Sequence, residues 1–277
     1  EMSKPLPESP YRASTKRSSA NPRLGTKAET LASLRGYLEH SSVLPLVYFH
    51  VGEGRDSSGQ QLDRVQRAFP TSKLIVRSSA TNEDREEQSL AGAFLSVRDV
   101  DSADRAAVKH AIERVIASYS SESFRHQVLV QPLIESAAIA GVATGTDPQT
   151  GGPYMTISFE YGAGALTSVT GGTSCPTTIY LHHAALDAPP EQIRAPVTAV
   201  IELQRVLGRR DLDVEFAVAE NGSVSILQVR PLPAQSGACE RAAAKVLSLA
   251  PSVRRSLALL TRRHPDLEGS RTLLSNM

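Results

Sequence analysis

The sequence predicts an α+β chain of two lobes, the first an alternating α/β layer and the second mainly antiparallel. Three observations predict it. Between residues 26 and 132, apolar positions at helical spacing alternate with short apolar runs. From about residue 138 the texture changes to strand-length runs separated by Gly, Pro, Thr and Asp. The length, 277 residues, exceeds one small core and is short for three domains. Lys plus Arg number 30 against 29 Asp plus Glu, so no overall field favours a nucleic acid or a membrane surface as partner. No apolar run approaches the roughly 20 residues that cross a bilayer, and the start lacks a signal peptide's apolar core. A cytoplasmic setting is expected. The two cysteines, Cys175 and Cys239, form no CxxC and have no His at metal spacing, which fits a reducing compartment and argues against zinc or a disulfide.

Taken in order, residues 1–23 are rich in Ser, Pro, Lys and Arg and bury too little to offset the entropy of ordering, so a disordered or draped leader is expected. Thr26-Lys27-Ala28-Glu29 has capping-box spacing, and Leu31, Leu34 and Leu38 follow at helical spacing, predicting a helix that ends near His40. Residues 43–49 read as a buried strand, 60–69 as an amphipathic helix and 73–77 as a second strand. A helix over 102–119, with Val108, Ile112, Val115 and Ile116 on one face, completes a first lobe placed at 24–120. The second lobe, 121–235, opens with the strand Val128-Leu129-Val130 and holds one long helix over about 190–207. Residues 236–277 read as a helical exit arm broken at Pro251 and Pro265.

Chemistry concentrates near the end of the second lobe. Asp213, Glu215 and Ala217 alternate with Val214, Phe216 and Val218, then Asn221-Gly222, then Val224, Ile226, Gln228 and Arg230. Asn-Gly between alternating runs predicts a hairpin with a two-residue type I′ turn. Counting back from a Glu220–Ser223 pair sets Glu215 opposite Gln228 and Asp213 opposite Arg230, all on one face. Val214, Phe216, Leu227 and Val229 are expected on the other. Two carboxylates and an amide oxygen suit magnesium, and the guanidinium suits a phosphate. A surface hairpin closed by an Asp213–Arg230 ion pair is the plainer alternative.

A second cluster, Arg77-Ser78-Ser79-Ala80-Thr81-Asn82-Glu83-Asp84, follows the strand Leu74-Ile75-Val76. Guanidinium, hydroxyl and backbone donors delivered together form a phosphate grip, or else a polar surface connection. Lys27 sits in the first turn of a helix, where the dipole disfavours a cation unless an anion shares the site. Gly162-Ala163-Gly164 and Asp147-Pro148-Gln149-Thr150-Gly151 are glycine-bearing loops of low specificity. His182 and His183, in a predicted strand, point to opposite faces and cannot share a metal. Cys175, in Thr170-Gly171-Gly172-Thr173-Ser174-Cys175, is read as an ordinary loop or buried cysteine.

Together these motifs resemble, in order and approximate spacing, the nucleotide-binding domain of the phosphoenolpyruvate synthase and pyruvate phosphate dikinase family. The residues that carry the resemblance are Leu74 to Asp84, Ser89-Leu90-Ala91-Gly92, Val130-Gln131-Pro132-Leu133, Gly141-Val142 with Asp147 to Gly151, and Asp213-Val214-Glu215 with Leu227 to Leu232. It spans about residues 24–233. The resemblance implies an ATP-grasp fold with ATP and Mg2+ between the lobes. It implies phosphate contacts from Lys27, Arg77 and Ser78, an adenine pocket lined by Gln131 and Leu133, magnesium held by Glu215 and Gln228, and assistance from Asp213 and Arg230. Gly25-Thr26-Lys27 stands where the family commonly has G-G-K, and Gly162-Ala163-Gly164-Ala165 where it has G-x-G-E. The latter loop, with Thr167 to Gly171, is more similar to the branch that includes L-glutamine kinases.

What the resemblance implies about activity is an ATP-dependent kinase domain, with Lys27, Arg77 and Arg230 assisting transfer. It would pass a phosphoryl or pyrophosphoryl group to a histidine of a swivelling domain, and from there to a small acceptor such as L-glutamine or pyruvate. The family's G-G-x-x-S-H histidine motif has no counterpart in these residues, so the phosphohistidine domain is expected elsewhere in a longer chain or on a partner. Direct transfer to a small molecule, and a nucleotide-binding module without turnover, are the alternatives.

Overall fold

The computed structural model describes residues 22–52, 58–80, 95–119, 126–162, 164–166, 176–232, 239–260 and 262. Residues 1–21 of the expected leader, the segment Thr81 to Phe94 and the loop Thr167 to Cys175 lie outside them. Two sheets are present, in the α+β class expected from the sequence. Strands β2 (Val47–His50), β3 (Lys73–Ser79), β4 (Ser96–Asp101) and β5 (Gln127–Pro132) form a first sheet in the order β2-β5-β3-β4, antiparallel throughout. A second sheet has the order β1-β10-β9-β6-β7-β8. It comprises β1 (Ser41–Val43), β6 (Ile139–Thr144), β7 (Tyr154–Tyr161), β8 (Thr177–His182), β9 (Leu212–Val218) and β10 (Val224–Pro231). It is antiparallel except where β1 joins β10 in parallel.

The first sheet buries one face under helices α2 (Ser58–Ala68) and α3 (Arg105–Ala117), where Leu62, Val65, Val108 and Val115 meet Leu74, Val76, Val128 and Val130. Strand alternation turns the opposite residues of β3 and β5, namely Ile75, Arg77, Ser79, Gln127, Leu129 and Gln131, to the other face. The second sheet buries Met155, Ile157, Phe159, Val214, Phe216, Ile226 and Val229 under α1 (Lys27–Leu34) and α4 (Glu191–Leu207). Gly141 pairs with both Phe159 and Phe216, and a Cβ there would stand 2.4 Å from the Ser158 carbonyl oxygen. The backbone of β7 at Ser158 and Phe159 therefore leaves no room for a side chain at this position.

The predicted capping box is present: Thr26 Oγ1 accepts from the Glu29 amide at 3.2 Å, and Glu29 Oε2 accepts from the Thr26 amide at 3.0 Å. The helix nevertheless ends at Leu34, short of His40, because Arg35 is extended and Gly36 turns left-handed at φ 86°. Residues 43–49 are two strands, not one; Pro45 interrupts the run, and β1 and β2 enter different sheets. His183 leaves β8 and opens a 3-10 turn, so the two histidines do not share a strand. A final helix, α5 (Cys239–Leu260), runs through Pro251, where a break was expected. A proline removes one helical hydrogen bond, and the turns on either side carry the helix past it.

Glu202, on α4, is buried and accepts from the amides of Glu39, His40 (2.9 Å) and Ser41 (3.1 Å) and from the Ser41 hydroxyl (2.8 Å). One carboxylate thus satisfies the donors of the chain entering β1 and fixes that strand against β10. Glu202→Ala should lower stability by about 3 kcal/mol, since it strands several buried donors at once; urea denaturation followed by circular dichroism reads this directly. His183 offers a second check. Its Nε2 lies 2.9 Å from the Gly145 carbonyl oxygen, and burial lowers its pKa below the ordinary histidine value, with Arg210 adding to the effect. The unfolded chain binds the proton first, so this contribution is complete above about pH 6.5 and is lost as pH falls towards the folded-state value. A His183→Gln variant should therefore lose less stability than the parent between pH 7.5 and 5.5, measured as thermal midpoints.

Candidate functional site

The β9–β10 ribbon carries the side chains singled out from the sequence. Glu215 is paired with Gln228 and Asp213 with Arg230, as the alternation predicts. The turn is not the expected one. Ala219 donates its amide to the Ser223 carbonyl at 3.0 Å and Gly222 donates to the Ala219 carbonyl at 2.9 Å, closing a three-residue loop with Gly222 left-handed at φ 81°. That loop shifts the pairing by one residue, giving Val218 opposite Val224 and Phe216 opposite Ile226. An irregularity between Ile226 and Gln228 shifts it back. Leu227 is the extra residue. Its side chain packs near Ala140, Ala217 and Leu166, on the face opposite to Val214 and Phe216, which corrects the side expected from alternation alone.

Bulging frees the Leu227 carbonyl from the ladder, and Arg77 Nη1 donates to it at 3.2 Å. The same guanidinium brings Nη2 to 3.6 Å from Glu215 Oε2. Arg77, from the inner face of the first sheet, therefore meets Glu215 and Gln228 from the second. Arg230 Nε donates to Asp213 Oδ2 at 2.6 Å. Burial raises the Asp213 pKa above the ordinary carboxylate value, against the opposing pull of Arg230. Among the described residues, Asp213 Oδ1, Glu215 Oε2, Thr144 Oγ1 and Thr156 Oγ1 are buried without a hydrogen-bond partner. All four belong to one face, because Thr144 pairs with both Asp213 and Thr156. Unsatisfied oxygens cost free energy when buried, and their concentration here suits a hard cation and its water.

The remaining candidates divide. Gln131 lies on the Arg77 face of the first sheet, almost wholly buried, with Nε2 unpartnered. Leu133 follows β5 and is partly buried, its amide bonded to the Lys73 carbonyl at 2.7 Å. Lys27 opens α1, next to Ala28, whose amide donates to Ser79 Oγ at 3.0 Å. Thr26 Oγ1 donates to Gln127 Oε1 at 2.6 Å, and Gln127 Nε2 to Glu29 Oε1 at 2.8 Å, so the start of this helix is fastened to the ends of β3 and β5. Ser78 is not brought to the group. It neighbours Arg77 in sequence, so the strand sends it to the opposite face, where it is buried. Ser79 is the serine on the Arg77 side. Thr144 and Thr156 escaped the sequence reading, and the signal that could have found them is their place on strands beside Asp213. No three His, Cys, Asp or Glu residues gather in metal-binding fashion among the described residues.

The family model described as pyruvate phosphate dikinase, AMP/ATP-binding domain, matches residues 58–194. The two sheets with their covering helices are the α+β class expected above. Among solved structures, the chain is similar to the D-cycloserine synthetase DcsG, at 15% identity over 75% of this chain and 62% of that one, with a TM-score of 0.43. It is also similar to the D-alanine-D-alanine ligase of Coxiella burnetii, at 15% identity over 69% and 43%, TM-score 0.37. A third is the L-amino acid ligase of Bacillus licheniformis, at 13% identity over 77% and 44%, TM-score 0.44. The chain thus spans less than two thirds of each of these proteins. No curated protein matches significantly. No described helix is long and apolar enough to cross a membrane.

The turn assignment is open to test. Nothing lies within 4 Å of a Cβ placed on Gly222, so Gly222→Ala meets only the left-handed backbone penalty. It should cost about 1 kcal/mol in thermal or urea unfolding, and Gly222→Asn less.

Proposed function

We propose that this cleft binds Mg-ATP and that the domain transfers a phosphoryl or pyrophosphoryl group to the histidine of a swivelling domain, on the same chain or a partner. Onward transfer would reach a small acceptor, an amide such as L-glutamine or else pyruvate. The observation that carries the reading is the meeting of Arg77 with the Glu215–Gln228 pair across the two sheets, Nη2 to Oε2 at 3.6 Å. Support also comes from the match of residues 58–194 to an AMP/ATP-binding domain.

In this reading Glu215 and Gln228 hold the magnesium ion, consistent with the unpartnered Glu215 Oε2. The ion, when bound, supplies charge neutralisation at the phosphate oxygens. Arg77 exchanges its contact with Glu215 for a phosphate, and Lys27, at the start of α1, adds a second cation. Arg230 stays tied to Asp213 and orients that carboxylate beside the metal ligands. Gln131 and Leu133 line the adenine end. Phosphoryl transfer needs little more from a protein than this fixed arrangement of charge.

Calorimetric titration with a non-hydrolysable ATP analogue, with and without Mg2+, tests the site. Glu215→Ala should retain the parent's circular dichroism yet lose at least tenfold of the magnesium-dependent affinity. Unchanged affinity would remove the assignment. Isotope exchange between ATP and its products, run with and without an added histidine domain, separates transfer to histidine from direct transfer and from binding without turnover.

A further inference from the structure

A cavity of about 470 Å³ lies away from the cleft, between the last turn of α4, the 3-10 turn that follows β8 and the chain entering β9. Its walls include the cationic Arg205, Arg209 and Arg210, with His183 and Gln204, and one carboxylate, Asp187, so that arginines outnumber acids three to one. Three consecutive facts give it chemical character. Arg209 is committed to Asp211 through Nε to Oδ1 at 2.9 Å and a second bond from Nη2 to Oδ2. Arg205 and Arg210 are exposed, and among the described residues their side chains make no ion pair or hydrogen bond. The helix dipole, whose partial charge near the last turn is about half an electron, favours Arg205 there, and Arg210 adds a second open guanidinium. Ile201 supplies an apolar wall, and the volume is within the range of small-molecule sites.

The floor of this cavity is continuous with the strands of the cleft. His183 Nε2 donates to the Gly145 carbonyl at 2.9 Å, and Gln204 Nε2 to the Arg210 carbonyl at 3.0 Å. The Gly145 amide donates to the Leu212 carbonyl at 2.7 Å, and the Leu212 amide to Arg210 at 2.9 Å. A Cβ on Gly145 would stand 1.9 Å from the Arg210 carbonyl oxygen, so no slack separates these segments. Gly145 follows Thr144 and Leu212 precedes Asp213, which are partners across β6 and β9.

We propose that this cavity is a second binding site, for a small anion bearing phosphate or carboxylate groups held by Arg205 and Arg210, and that its occupancy stiffens the ends of β6 and β9. The binding half stands independently of the nucleotide reading of the cleft. Calorimetric titration of pyrophosphate and, separately, citrate into the parent, into Arg205→Ala/Arg210→Ala and into Arg77→Met tests it. Saturable binding is expected for the parent and for Arg77→Met, weakened at least tenfold in the double variant. Preference for pyrophosphate over citrate, or the reverse, tells a phosphate ligand from a carboxylate one. Hydrogen exchange should show slower exchange at residues 143–145 and 212–214 when the anion is bound, and no such change in the double variant. Binding lost in Arg77→Met but kept in the double variant would place the anion in the cleft and overturn the proposal, as would no saturable binding to the parent. Exchange unchanged on binding would overturn the stiffening.

Discussion

The register of one β-ribbon governs which side chains meet at the junction of the two sheets. A three-residue loop at its tip displaces the two strands by one position, and a bulge at Leu227 displaces them back. Side chains alternate along a strand, so a single uncompensated step would set Glu215 against Leu227 and Asp213 against Val229. Carboxylate oxygens would then face apolar partners. With both steps present, the carboxylates of β9 lie beside the amide and guanidinium of β10, while Val214 and Val229 remain in the core. The second step does more than correct the first. It releases one carbonyl from the ladder, and that carbonyl anchors the arginine reaching over from the other sheet.

Helix α1 has a matching role on the opposite side of the junction. Its apolar face, Ala28, Leu31 and Leu34, joins the same core cluster as Leu129 of the first sheet and Ile226 of the second. Its first turn is tied by Thr26, Glu29 and the Ala28 amide to Gln127 and Ser79. The two cores are accordingly not successive stretches of chain. A segment early in the sequence completes the sheet formed late in it, and Glu202 fixes the entry of that segment through backbone amides that any sequence would offer.

How far this was legible follows from the range of each signal. The capping box, the helices over Arg105–Ala117 and Glu191–Leu207, and the alternation of β9 and β10 are local patterns, and local patterns were readable. The Glu215–Gln228 pairing came out correctly although the turn was misread, because the two displacements cancel before the site is reached. Leu227 was assigned to the wrong face for the same reason: a bulge leaves no mark in an alternating run. Ser78 looked like a partner of Arg77 because sequence adjacency was taken for proximity, whereas a strand separates neighbours to opposite faces. Thr144 and Glu202 depend on Asp213 and on residues 39–41, far away in sequence, and Thr156 joins the group only through Thr144, so nothing near them announces those partners.

The parallel pairing of β1 with β10 joins residues 41–43 to residues 224–226. On the ribosome the chain emerges from its N-terminal end, so the first sheet has all its strands once residue 132 has cleared the tunnel. The second sheet does not; its edge strand β1 must wait until β10 has emerged. Until then Leu31 and Leu34 have Leu129 of the first sheet but not Ile226 of the second to pack against, and residues 41–43 must find residues 224–226 across the intervening chain. The strand β1 is thus without its partner until the ribbon that carries Glu215 and Gln228 has been made.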